Sequence, residues 1–171
     1  MLYTSCKNYL ISLLKDAGIR TKPFTSLKRL KSTHESHVGA VLFESEAIVR
    51  NGSKTIYVDE SGVRRKRRMV FDRNLSFTIV IGEYTDSAVE TIFDRFLALI
   101  EEGIYIEGNY VPIEIDGSDW AEDEDHILKA EVSAQVKITF RGGVHRETGF
   151  TRLSDVEIES LERKEPNHGS N

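Results

Sequence analysis

Residues 128–141 alternate apolar and polar without a break, with Leu128, Ala130, Val132, Ala134, Val136, Ile138 and Phe140 on one side and Lys129, Glu131, Ser133, Gln135, Lys137, Thr139 and Arg141 on the other. A period of two marks an extended strand with one buried face. At about 3.3 Å per residue this stretch reaches roughly 45 Å, whereas an ordinary strand has about five or six residues. Such a strand outruns the core that 171 residues can build. Its overhang must pair with something or stay wet on both faces, which points to an assembly protein before an enzyme.

The length suits one domain, read as residues 1–152, in which roughly 70% of the extended-chain surface is buried. A 39% hydrophobic and 30% charged composition describes a globular chain, and no apolar run approaches the roughly 18 residues of a membrane span. The first residues lack a charged leader, an apolar block and a small-residue cleavage site, so the chain is expected to be unexported. Cys6 is the only cysteine and cannot form an internal disulfide, in keeping with a reducing cytoplasm. The formal net charge of −5 is unevenly spread: residues 1–31 hold seven Lys/Arg against Asp16 alone, +6, which leaves −11 on the rest. Oppositely charged ends suit head-to-tail contacts between subunits, although a basic helix and a solvated acidic loop would look the same.

Along the chain, Tyr3, Cys6, Leu10, Leu13, Leu14 and Ala17 fall at helical spacing, with Gly18 placed as a C-terminal cap. Residues 19–37 read as a connector with little regular structure. Residues 38–49 and 54–59 are rich in β-branched and aromatic side chains, with Asn51-Gly52 expected as a compact turn between them. A second turn at 60–62 leads through a basic stretch into another long strand ending at Ile81. Ser87-x-x-Glu90 predicts a capping box for a helix along Val89, Ile92, Phe93, Phe96, Leu97 and Ile100, closed by Gly103. Short strands follow at 104–106 and 110–115 around Gly108-Asn109, then an acidic loop, then the long alternating strand. Arg141-Gly142-Gly143 reads as a turn before a last strand at 144–150, and residues 153–171 as a charged, mobile tail. This order predicts an α+β fold, a mainly antiparallel sheet with long hairpins and two helices on one face.

Arg64, Arg65, Lys66, Arg67 and Arg68 form the loudest charge run. Five adjacent cations can neutralise several phosphates, but the run lacks interleaved aromatics to stack on bases, and charges on a strand also discourage aggregation. A solvated or protein-contacting arm is the preferred reading, ahead of DNA or RNA contact and of a localisation signal. The opposite cluster is Glu114, Asp116, Asp119, Glu122, Asp123, Glu124 and Asp125, with Trp120, the only tryptophan, embedded in it. The spacing does not match a calcium loop, so a solvated loop or an interface for a basic neighbour is expected, with Trp120 as a core plug or contact anchor. Cys6 lies on an apolar helix stripe and reads as a buried thiol. The five histidines are dispersed without zinc-site spacing, and no glycine-rich cradle precedes a helix. No catalytic constellation and no cofactor site are expected.

The order of elements, with Phe77-Thr78-Ile79-Val80-Ile81-Gly82, Phe93-Asp94-Arg95-Phe96, Val111-Pro112-Ile113-Glu114-Ile115, Asp119-Trp120 and Ile138-Thr139-Phe140-Arg141-Gly142-Gly143, resembles tail terminator proteins of long-tailed bacteriophages and prophages, also called tail-completion or head-tail joining proteins. The resemblance runs over residues 3–150 and is one of pattern. It implies a ring, commonly a hexamer, that caps the finished tail tube, ends its polymerisation and meets the head connector protein, with DNA only passing through the lumen. Partners would be other copies of the chain, the tail-tube protein and the connector, with no membrane. The location would be the virion tail, after assembly in the host bacterial cytoplasm. Charge complementarity nominates residues 64–68 against residues 119–125 as the interface between subunits. The alternative is a nucleic-acid-binding module using the basic run and the basic first helix.

Overall fold

The computed structural model describes residues 1–121 and 132–149. In chain order the elements are α1 (Leu2–Ala17), α2 (Leu27–Ser32), β1 (Val38–Arg50), β2 (Lys54–Val58), β3 (Arg64–Glu83), α3 (Asp86–Leu99), β4 (Gly103–Ile106), β5 (Asn109–Ala121) and β6 (Val132–Gly149). The fold is α+β. All strand pairs are antiparallel, in the order β1-β3-β6-β5-β4, with β2 also on β3.

Alternation decides which face is buried. Leu75, Phe77, Ile79 and Ile81 of β3 stand opposite Phe140, Ile138, Val136 and Ala134 of β6. This apolar face packs under Cys6, Leu10, Leu13 and Leu14 of α1 and Val89, Ile92, Phe93 and Phe96 of α3. The two predicted helices thus share one face. Aromatic rings bind the layers together, with Phe77 edge-on to Phe140 at 5.9 Å and Tyr9 of α1 edge-on to Phe140 at 6.2 Å. Gly18 ends α1 at φ 128°, where its N–H reaches the Lys15 carbonyl and the Ile19 N–H reaches that of Leu14. Such paired bonds close a helix around a left-handed residue that glycine adopts without strain.

Several local expectations need correction. Residues 51–53 are not a hairpin turn, because β1 and β2 run in the same direction along β3 and form one edge strand with a short interruption. Ladder bonds bracket it, Asn51 N–H to Val70 O and Met69 N–H to Ser53 O, both 3.0 Å. The reversal comes at the second turn, where Asp59 Oδ1 accepts from the N–H groups of Ser61 and Val63. Arg141-Gly142-Gly143 is no turn either, since β6 continues to Gly149. A Cβ on Gly142 would lie 2.5 Å from the Leu2 side chain, so close packing requires glycine there. Asp116 to Trp120 belong to β5, with a bulge at Gly117 (φ 146°), and not to a loop.

At the start of α3 the cap is Thr85, whose side chain accepts from the Ala88 N–H, in place of the Ser87 box. The helix closes at Leu99, and Gly103 opens β4. The connector holds a third helix, α2, whose Leu30 packs on Val38, Ala40 and Val80, the sheet face away from α1 and α3. His37 fastens the connector to the sheet. Its Nε2 accepts the Arg20 N–H at 3.1 Å, which leaves Nδ1 to carry the proton and donate to buried Glu83. The expected tail, residues 153–171, residues 122–125 of the acidic run and the first four residues, 128–131, of the alternating stretch lie outside the described residues.

Candidate functional site

The helices are too short for the sheet they cover. Sixteen residues of α1 rise about 24 Å and fourteen of α3 about 21 Å, while the twenty residues of β3 extend roughly 65 Å. Burial along β3 begins at Leu75. The stretch before it, with β2, the far half of β1 and the end of β6, is a three-stranded arm that leaves the core. Ile48, Val49, Ile56, Val58, Val63 and Val144 of this arm are exposed, Ile56 and Val58 by 53% and 61%. Among the described residues the outer edge of β1 beyond Val41, with that of β2, has no strand beside it, and β6 beyond Phe140 is paired on the β3 side only.

The basic run is the middle strand of this arm. Arg64 to Arg68 pair with Val58 to Lys54 on one flank, and Arg65 to Arg68 with Gly149 to Arg146 on the other. Their side chains alternate between faces. Arg65 Nε donates to Asp59 at 2.6 Å. Arg67 is held four ways: by Glu147, by Asn109 Oδ1 at 2.8 Å, by the Tyr57 ring at 4.9 Å, and by ladder pairing. These guanidinium groups keep the carboxyls of Asp59 and Glu147 below their ordinary range. The Asn109 bond also ties the arm to the β4–β5 turn, enclosing a cleft of about 340 Å³ lined by Tyr57, Arg67, Met69, Asn109, Tyr110 and His145. Burial and the nearby Arg67 charge pull the His145 pKa down.

Asn51, read from sequence as a turn residue, pins the joint of the arm. Its side-chain amide donates to Asp72 Oδ1 at 2.8 Å and its Oδ1 accepts from the Ser53 N–H. Asp119 and Trp120 lie at the other end of the sheet, on β5. Asp119 pairs with Gln135, which pairs with Val80, twelve positions along β3 from Arg68 and so roughly 40 Å away at about 3.3 Å each. One chain does not bring the basic run and Asp119 together. Trp120 packs edge-on against Phe93 at 5.3 Å and stays 47% exposed. Glu122, Asp123, Glu124 and Asp125 fall outside the described residues.

Beyond the apolar patch under α2, the sheet face away from α1 and α3 is polar and cross-linked. Glu44 takes bonds from the Thr78 hydroxyl and from Lys137 at 2.9 Å, and both hold its carboxyl low, Thr78 first. Thr139 donates to Asp116 at 2.8 Å, and Arg141 forks onto Glu114 at 2.6 and 2.8 Å. Burial pushes the Cys6 thiol up to about 12, which keeps it protonated and unreactive at neutral pH. Among the described residues no three His, Cys, Asp or Glu side chains converge to hold a metal ion, and no helix is long and apolar enough to cross a membrane.

No protein-family model matches the chain, and no curated protein matches it in sequence. The functional reading rests on the molecule itself. The exposed arm residues were not singled out from sequence, because Ile48, Ile56 and Val58 look like any strand core. The signal that could have found them is the mismatch between strand length and helix length.

Proposed function

We propose that this chain is a structural assembly protein whose copies close into a ring, in the role of a phage tail terminator. In that role the ring caps the finished tail tube, stops its polymerisation and joins it to the head connector. The observation that carries this reading is the arm. An extended edge with unpaired N–H and C=O groups beside exposed apolar side chains is a template for another chain. A contact between two different surfaces, repeated from copy to copy, closes into a ring when the rotation per step permits. Asp119, roughly 40 Å from the basic run within one chain, remains for a contact between copies.

The test replaces Ile56 and Val58 by glutamate. Both side chains are exposed, so the unfolding free energy of the dissociated subunit should stay within about 0.5 kcal/mol of wild type, while the assembled mass falls to that of a monomer. Wild-type protein added to growing tail tubes should stop elongation and the variant should not. An arm variant that assembles like wild type contradicts the proposal. The competing nucleic-acid reading predicts capture of duplex DNA that weakens steeply with salt, whereas a ring held by apolar strand contacts persists in salt.

A further inference from the structure

We infer that the basic surface around α2 receives the acidic β5 edge of the next copy of the same chain, an inference that rests on the ring reading above. The register places one row of residues straight across the sheet: Phe24 beside Ala40, then Val80, Gln135 and Asp119. At the first end of the row, Phe24 donates to Gly39 O and accepts from the Val41 N–H, both at 2.8 Å. The connector therefore occupies the outer edge of β1 here and blocks backbone pairing with another sheet. Side chains are what remain for contact, and they carry one sign. Arg20, Lys22, Lys28, Arg29 and Lys31 are all exposed, and no acid lies between Asp16 and Glu35. No ion pair found among the described residues engages any of the five.

The other end of the row has the opposite sign. Asp116 and Asp119 are exposed on β5, and no Lys or Arg occurs between Tyr110 and Lys129. Four inter-strand steps of about 4.8 Å separate the two ends by roughly 20 Å, too far for one chain to join them. A second copy set alongside brings basic edge to acidic edge, the heterologous contact a ring repeats. Complementary fields of this kind also steer encounter and fix register. The arm is the poorer electrostatic partner for that edge, because Arg65 and Arg67 already face Asp59 and Glu147 within the chain.

The experiment uses the full chain and three variants. Reversing Lys28, Arg29 and Lys31 to glutamate should raise the concentration for half-assembly at least about tenfold, because like charges then meet. Reversing Asp116 and Asp119 to lysine should do the same, and combining both sets in one chain should restore wild-type assembly. Far-ultraviolet circular dichroism and urea midpoints verify that each variant is folded. A folded first variant that assembles like wild type overturns the inference and leaves the ring standing, as does a combined variant that fails to recover. Loss of duplex DNA binding with unchanged mass would assign the basic surface to nucleic acid instead. A wild-type chain that stays monomeric throughout removes the ring and this contact together.

Discussion

Two glycines separate what a turn motif predicts from what packing demands. Gly103 is buried, and a Cβ there would sit 2.5 Å from the Tyr110 ring and 2.7 Å from the Val111 carbonyl oxygen. Backbone cannot yield cheaply, so Gly103→Ala should lower the unfolding free energy by about 2 kcal/mol in urea titration. Gly52 has no atom within 4 Å of the same position and no left-handed φ. Gly52→Ala should therefore leave stability within about 0.5 kcal/mol of wild type. Were Asn51-Gly52 the tight hairpin turn that the dipeptide suggests, φ would be positive and alanine costly. His37→Ala belongs to the same scale. It strands the buried Glu83 carboxylate and should cost about 2 kcal/mol in the same titration.

At the scale of elements, regular periodicity was legible and its boundaries were not. The stripes of α1 and α3, the alternation of β3 and β6, and the shared helical face can each be read from spacing alone, since burial selects those positions. The end of β6 cannot, because Gly142-Gly143 looks like a turn until Leu2 is seen packed on Gly142. Thr85 displaced Ser87 as the cap of α3 by one turn-start of difference that the motif does not encode. α2 has only six residues, too few for a helical period to show. Charge pairing within the arm was also invisible, and it carries a pH prediction. Asp59 and Glu147 have carboxyl pKa values held below normal by Arg65 and Arg67. Their contribution is present above the unfolded-state value and lost as pH falls through the lowered one. The His145 pKa is also lowered from 6.5, so the folded arm favours the neutral ring and weakens as pH drops through that ordinary value. Hydrogen exchange on arm amides should show protection falling first near pH 6.5 and again in the carboxylate range. His145→Gln should abolish only the first fall.

For the whole molecule, the dominant fact is that strand length exceeds helix cover. The long alternating run announced this in the sequence, though the exposed half proved to be the far ends of β1, β3 and β6 with all of β2, beyond the run itself. The uneven charge read from the sequence puts the cations from Arg20 to Lys31 beside one end of a sheet row and Asp119 at the other once the register is known, a placement no composition can supply. Arm and edges together support the proposal that the subunit assembles with copies of itself. The most direct measurement is the mass of the untagged chain in solution, by light scattering over a wide concentration range at low and high salt. A single closed oligomer that persists in salt is the predicted result. A monomer of 19.4 kDa at every concentration would contradict the account.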